Sequence, residues 1–383
     1  GNGGGVRSLI GVLGWMCYTI HAGHLSAAQA ALDAGAERVL LCPCQMPAHR
    51  GQAIAPAMDR LQLCELAAQA HTGMEACDAD LRGGLCYTVD TVNILQARYP
   101  DARICWIIGA DKLPSLNKWY GAERLFAACE FWVCPRPGYK AHLPVPGARL
   151  RVLDMPPIAA SSADVVQRLH AYDDAAGMIS HEEARYIAEN GLYQPDYKTL
   201  LKARDMPEKR LLHTLGVRQT AVALAGLYGA RMQAAGVAAM LHDIAKPLSL
   251  PEMQKKAQEY DLRLPKDIYA DENLLHGPLA AAIAEHELGV TDAEILSAIA
   301  CHTTGKPDMT VLEQVIYLAD AIEPTRRDYP GLAQIRTLAQ TNLSAAVLLS
   351  MRRTREYVLS QGHAFCPQTE LAMQSLAAKE ETK

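Results

Sequence analysis

The sequence has no apolar stretch approaching the roughly 18 residues that a membrane-spanning helix needs. It has no dense Lys/Arg run, and its net charge of −5 gives no basic surface for nucleic acid. Small phosphate compounds are not excluded, because a local pocket can be positive on an acidic protein. There is no CxxC pair, only the weaker Cys42–Cys44 CxC. Nine of the eleven cysteines lie before residue 135 in ordinary apolar runs, with Cys301 and Cys366 beyond, which points to reduced, buried thiols rather than a disulfide framework. Gly1–Gly5 has neither the charged nor the apolar region of a signal peptide. These absences predict a cytoplasmic protein with no membrane and no nucleic-acid partner. A homo-oligomer is compatible with them.

What is present is a chain of 383 residues, half of them apolar, too long for one ordinary core. From Leu9 to about Tyr193, short apolar runs (38–41, 104–108, 131–133) alternate with helix-like segments (25–34, 58–70, 88–98, 120–128). That alternation predicts an α/β, Rossmann-like domain with a parallel sheet covered by helices, and ligands beyond the carboxyl ends of the strands. After Tyr193 the strand-like runs stop. Segments 207–228, 233–244, 277–287, 291–301, 309–321 and 331–361 carry helical spacing, so an all-α domain follows. The expected domains are 1–194 and 195–383, with the boundary near Gln194-Pro195-Asp196 and no internal repeat.

In the second half, His242 and Asp243 follow the apolar helix 237–241. His213, His276, His302 and Asp320 each lie against an apolar helix as well. A lone core histidine is ordinarily a hydrogen-bonded structural residue. An ordered series of four histidines and two aspartates across one helical domain is different, because burying them is costly unless something such as a divalent metal pairs them. His286 and His363 fit no such pattern and are read as surface residues.

The series and its flanks, His213-Thr-Leu-Gly, Leu241-His-Asp-Ile-Ala-Lys246, Leu275-His-Gly-Pro, His302-Thr-Thr-Gly and Leu318-Ala-Asp-Ala-Ile-Glu-Pro, resemble the HD-domain phosphohydrolases over about 200–375, and within them the YqeK-type subgroup. The resemblance implies symmetrical cleavage of diadenosine tetraphosphate to two ADP at a two-metal centre, often iron, with manganese or another divalent ion also suited to the donors. It implies that His213, His242, Asp243 and Asp320 hold one ion, and that Asp243 bridges to a second held by His276 and His302. Two such ions acidify water and hold the phosphate under attack. Lys246, one turn after Asp243, is placed to neutralise a phosphate oxygen. Arg326 and Arg327 are further polyphosphate candidates, with solvated arginines as the rival reading.

In the first half, His21-Ala-Gly-His24 opens a helix, with both imidazoles on one side of an N-terminus that favours anions. Pro43 to Arg50, Tyr87-Thr88-Val-Asp-Thr, Ile108-Gly-Ala-Asp111, Trp119-Tyr120, Pro135-Arg-Pro-Gly138 and Glu189-Asn-Gly-Leu-Tyr193 join it. Together they resemble nicotinate-mononucleotide adenylyltransferase, of the HxGH nucleotidyltransferase superfamily, across roughly 9–193. The resemblance implies condensation of ATP with nicotinate mononucleotide to deamido-NAD and pyrophosphate, with magnesium. It implies that His21 and His24 contact the ATP phosphates, that Asp111 lies near the ribose or adenosine, and that Thr88 and Trp119 hold the nicotinate nucleotide; a core aromatic is the rival reading of Trp119.

The departures from that family are patterned. Gly14-Trp15-Met16-Cys17-Tyr18-Thr19 replaces a Gly-Gly-Thr/Ser-Phe-Asp/Asn-Pro motif, and Ser161-Ser162-Ala163-Asp164-Val165-Val166 replaces Ser-Ser/Ala-Thr-x-Ile-Arg. Trp15 stands where a glycine lets backbone approach phosphate, and Arg168 lies about 200° round the helix from position 166. The changes sit in the ATP-phosphate subsite and predict weak or lost transfer, against the rival that a working enzyme tolerates them. The first half is then either a second enzyme or a non-catalytic nucleotide-binding regulatory module. A further alternative gives the HD site another nucleotide or an alarmone.

Overall fold

The computed structural model describes residues 7–16, 19–45, 55–82, 87–158 and 161–382, with Trp15 and Met16 as backbone only. Of the motifs singled out above, the Trp15 side chain, Cys17, Tyr18 and residues 46–50 lie outside what is described. By contacts the chain separates into two compact units, Gly1–Ala171 with Ala175–Glu183, and Tyr172–Asp174 with Ala184–Lys383. Residues 184–194 therefore go with the helical unit. Among the described residues no helix is long and apolar enough to cross a membrane.

The first unit runs β1 (Ser8–Met16), α1 (Ala22–Asp33), β2 (Arg38–Pro43), α2 (Ala57–Gln69), β3 (Met74–Ala76), α3 (Thr88–Arg98) and β4 (Ala102–Gly109). A 3₁₀ stretch (Ala110–Lys118), α4 (Ala122–Ala128), β5 (Glu130–Cys134), β6 (Leu150–Val152), α5 (Ser162–His170) and α6 (His181–Glu189) complete it, α6 dividing between the two units. All strand pairs are parallel, in the order β3-β2-β1-β4-β5-β6. The order reverses between β1 and β4, and that is where a doubly wound sheet opens its ligand crevice. Chain direction thus delivers His21 and Asp111, each just past the end of one of these two strands, to the same crevice.

The central strands are buried on both faces, as a parallel sheet requires. Val12 pairs with Trp106, whose side chain is 1% exposed. Gly14, two residues on, has no room for a Cβ because it would collide with the Trp106 ring. Every cysteine among the described residues is a free thiol.

The second unit is helical: α7 (Tyr197–Ala203), α8 (Glu208–Tyr228), α9 (Met232–Leu241), α10 (Leu250–Glu259), α11 (Lys266–Tyr269) and α12 (Glu272–Leu288). Then follow α13 (Ala293–Ala300), α14 (Val311–Ile322), α15 (Leu332–Ala339), α16 (Leu343–Ser360) and α17 (Pro367–Glu381). The apolar segment expected at 331–361 is two helices, because Asn342 leaves the helical conformation and caps α16 through Ala345 N–H.

Helix α9 organises this unit. All ten of its residues are buried, the pattern of a helix apolar all round. Small residues let its neighbours close in: a Cβ on Gly236 would stand 3.0 Å from the Ala188 carbonyl. Its first N–H groups, on Met232 and Gln233, donate to the Asp174 carboxylate at 2.8 and 3.0 Å, a capped N-terminus. The helix ends at Leu241 and turns follow, so His242 and Asp243 sit at a helix end in the core rather than on a helix flank.

Candidate metal centre and nucleotide crevice

Two donor clusters occur among the described residues: His213, His242, Asp243 and Asp320, and Asp243, His276 and His302. In each, one ligand atom per residue lies within 4.8 Å of all the others. Asp243 is shared, and its two oxygens divide the work. Oδ2 faces His213 Nε2 (3.6 Å) and His242 Nε2 (3.4 Å), while Oδ1 faces His276 Nε2 (3.3 Å) and His302 Nε2 (3.5 Å). Asp320 Oδ1 closes the first cluster at 2.8 Å from His213 Nε2 and 3.3 Å from His242 Nε2. The sequence expectation named these six residues, and the fold brings all six together.

The second ring nitrogen of each histidine is anchored. His242 Nδ1 donates to the Ala239 carbonyl (2.6 Å), His302 Nδ1 to Ile299 (2.7 Å) and His276 Nδ1 to Glu272 (3.0 Å). A carbonyl can only accept, so the proton of each neutral ring sits on Nδ1 and leaves Nε2 a bare lone pair. His276 and His302 then aim two lone pairs at each other across 3.1 Å. His242 Nε2 is buried with no hydrogen-bond partner. Converging lone pairs and carboxylate oxygens repel unless a cation lies between them, so this donor set fits a divalent metal.

Where a proton stands in for the cation, the buried carboxylates draw it onto His242, the place a metal at Nε2 would take. Burial works against charge on Asp243, yet His242, His276 and His302 hold it well below the usual carboxylate range. Asp320 is likewise held down, against burial, by His213 and His242. Burial alone would depress His242, but Asp243 and Asp320 outweigh it and raise it to about 9. His276 goes the other way, lowered first by burial, then by the charges of His302 and Lys246.

Around the clusters opens a cleft of about 1140 Å³ lined by Lys209, Arg210, Arg326, Arg327 and Arg353 among others. Arg326 donates to Asp320 through Nη2 (3.2 Å) and through Nε to its carbonyl (2.9 Å). Lys246 is half-buried beside the His276 cluster. His286 and His363 are exposed.

Three features of this centre had no role assigned from the sequence. Arg210 Nη1 donates to Asp243 Oδ2 at 3.0 Å. Glu323, fully buried, lies 3.1 Å from His213 Nδ1. Pro278, inside α12, has no N–H for the Leu274 carbonyl, and the Thr303 hydroxyl donates there instead at 2.9 Å. The spacings His213-x-x-Gly216 and Asp320-x-x-Glu323 were the available signals for the second feature. A Cβ at 216 would collide with the Glu323 carboxylate.

In the first unit His21 is the N-cap of α1 and His24 its third residue, joined in a reciprocal capping box. His21 Nδ1 accepts from Gly23 N–H (3.0 Å) and His24 Nδ1 from His21 N–H (3.1 Å). Burial, then the Arg136 charge, lowers His21 to about 4, and His24 is held well below its ordinary value for the same leading reason. Both rings are therefore neutral near pH 7 with Nε2 as donor. The glycine between them is required, since a Cβ on Gly23 would lie 2.7 Å from His21 Cε1 and 2.8 Å from Ile158. Asp111 faces Arg136 at 3.6 Å and the Arg136 charge acts on His21 and His24, so the His-x-Gly-His, Gly-Ala-Asp and Pro-Arg-Pro-Gly segments converge. Arg136 is a residue whose role the sequence did not show.

Thr88 is half-buried in the first turn of α3. Trp119 is half-buried against the core, edge-on to Phe131 at 6.5 Å. In α5, Val165 and Val166 are buried, whereas Arg168 is exposed on the opposite side. Asp164 sits in the first turn, where its N–H donates to Ser161 Oγ and its carboxylate accepts from it.

Fold and donor set define the class: a metal-dependent HD-domain phosphohydrolase joined to a nucleotidyltransferase-like α/β unit. The HD domain family model matches residues 210–325, and the cytidylyltransferase-like model residues 19–170. The helical part is 42% identical over 164 residues to a "Bis(5'-nucleosyl)-tetraphosphatase, symmetrical" of Halalkalibacterium halodurans, covering 43% of this chain and 87% of that one. The first part is 36% identical over 196 residues to a "Probable nicotinate-nucleotide adenylyltransferase" of Symbiobacterium thermophilum, covering 48% and 94%. A "Probable nicotinate-nucleotide adenylyltransferase/Ap4A hydrolase" of Mycoplasma pneumoniae aligns across both, 28% identical over 344 residues, with 89% of this chain and 96% of that one. The chain belongs to the symmetrical bis(5′-nucleosyl)-tetraphosphatase family in its helical part and to the nicotinate-nucleotide adenylyltransferase family in its first part.

Proposed function

We propose that the helical part, taken as residues 195–383, hydrolyses diadenosine tetraphosphate symmetrically to two ADP. The observation that supports it best is the division of Asp243, one oxygen to each donor cluster. Two divalent ions held there, iron as the first choice and manganese or another ion as alternatives, would acidify water and polarise phosphate oxygens. His213, His242 and Asp320 serve one ion and His276 and His302 the other. Water attacks one of the two central phosphorus atoms, the bridging P–O bond between them breaks, and the second ADP leaves with its oxygen. Arg326 and Arg327, on the cleft wall, bind the non-bridging oxygens, and Lys246 neutralises charge from the His276 side. The test is product analysis: two ADP per molecule consumed supports the reading, and AMP with ATP overturns it.

For residues 1–194 the family activity is condensation of ATP, as its magnesium complex, with nicotinate mononucleotide. His21 and His24 donate to ATP phosphates through neutral Nε2–H groups, Asp111 orders the adenosine side, and Thr88 and Trp119 hold the nicotinate nucleotide. A second reading, a nucleotide-binding regulatory module, is favoured by α5: Val166 is buried where the family carries arginine, and Asp164 places a carboxylate at the helix start that should attract phosphate. We infer that transfer is weak. Pyrophosphate release at the roughly 1–10³ per second of ordinary enzymes would overturn that inference.

A further inference from the structure

The two donor clusters differ in a way that their ligand lists alone do not show. The first has four ligands, two of them carboxylates; the second has three, and its one carboxylate, Asp243, is shared. The supporting contacts differ too. His242, His276 and His302 are each held by a neutral backbone carbonyl. His213 alone is held by a carboxylate, Glu323 Oε1, at 3.1 Å. A carboxylate behind a ligating imidazole fixes its tautomer and raises its basicity more than a carbonyl does.

Glu323 is built for that position. It is fully buried, an unfavourable place for a carboxylate unless each oxygen is satisfied. Thr325 supplies both remaining bonds, its N–H to Oε2 at 2.9 Å and its hydroxyl to Oε1 at 2.5 Å. Arg336 clamps the backbone on either side of Glu323, donating to the carbonyls of Ile322 and Glu323 at 2.9 Å each. Gly216, one turn after His213 on α8, leaves the space that the carboxylate fills.

We propose that the two metal positions are unequal, the His213 position binding its ion tightly and the His276–His302 position exchangeably, and that Glu323 is the positioning residue that sets the difference. The proposal rests on the two-metal reading of the centre. It means that one ion is resident and that the other responds to the surrounding metal supply, so that occupancy of the weaker position governs how much of the protein is competent.

The test is calorimetric titration of the chelator-stripped full chain with Mn²⁺, with electron paramagnetic resonance at one and two equivalents. The expected result is two phases at least about 10-fold apart, with an isolated Mn²⁺ signal at one equivalent and a coupled pair at two. Glu323→Gln lowers the tighter affinity by about 10–100-fold, the range for supporting contacts of metal ligands, and leaves the weaker one within a few-fold. Glu323→Asp restores part of the loss. Gly216→Ala, which displaces the carboxylate without removing it, shifts the same phase and serves if Glu323→Gln does not fold, as judged by circular dichroism. Equal affinities in the unaltered protein, or an equal effect of Glu323→Gln on both phases, overturn this inference while the two-metal reading stands. No Mn²⁺ binding at all overturns both.

Discussion

The Thr303 hydroxyl donates at 2.9 Å to the carbonyl of Leu274, the group that residue 278 of α12 would have bonded had it not been proline. Leu274 lies two residues before His276, and Thr303 follows His302. One bond thus ties the two histidines of the second cluster to each other through their backbones. Gly277 permits the approach, since a Cβ there would meet Thr303 Oγ1 at 2.6 Å. Thr303→Val is expected to leave the carbonyl unsatisfied and to cost about 1–3 kcal/mol. A thermal melt should register that as about 2–4 °C per kcal/mol for a unit of this size. Pro278→Ala returns an N–H to Leu274, so the two changes together should cost less than their sum. Strict additivity in the double-mutant cycle would sink this account.

Asp243 is the residue on which both clusters depend. Asp243→Asn keeps the shape but gives up the charge that faces four imidazoles. It should lower metal content at both positions and reduce ADP formation by about 10³-fold or more, as when one member of a functional unit is removed. Chelation should abolish hydrolysis in the unaltered protein and re-addition of a divalent ion should restore it. Metal analysis beside the assay checks the point, and full hydrolysis by metal-free Asp243→Asn would refute the centre.

The donors themselves were legible in the chain because each carries a short local signature and sits on, or just past the end of, an apolar helix. The parallel sheet was legible for a similar reason, since fully buried strands leave runs such as Ile104–Ile108. Edge strands β3 and β6, three residues each, leave no such run. Glu323, Arg210 and Arg136 were not legible because their meaning lies in partners far along the chain. His213 and Glu323 are 110 residues apart, and Arg210 and Asp243 are 33 apart. Pro278 inside a helix reads as a breaker until Thr303 is seen to fill its gap.

Arg210 and Arg326 reach the centre from α8 and from the segment after α14, contacting Asp243 and Asp320 respectively. Both line the cleft. Each is expected to bind a polyphosphate oxygen by a charge-assisted hydrogen bond worth about 1.5–3 kcal/mol. Arg210→Ala and Arg326→Ala should therefore raise KM for diadenosine tetraphosphate by about 10–150-fold. Lysine at either position should recover only part of this, because it lacks the planar fork. Steady-state kinetics at saturating Mn²⁺ checks it; an unchanged KM in both alanine variants would place the substrate elsewhere.

A pH dependence of stability follows from Glu183, which opens α6. Its carboxyl is fully buried; Oε1 accepts from Ser180 N–H at 3.3 Å, while Oε2 has no partner. Burial pushes its pKa up to about 8, the Ser180 bonds offsetting only part of that. The folded state therefore holds a proton between about pH 4.3 and 8 that the unfolded chain has released. The resulting stability is fully present below the unfolded pKa and is lost as the pH rises through 8. Glutamine keeps the Ser180 capping bond and carries no charge to bury. Glu183→Gln should then melt close to the unaltered protein at pH 4, and several degrees above it at pH 8.5. Melting curves across that range decide the matter, and a difference that shrinks with rising pH would show the sign to be wrong.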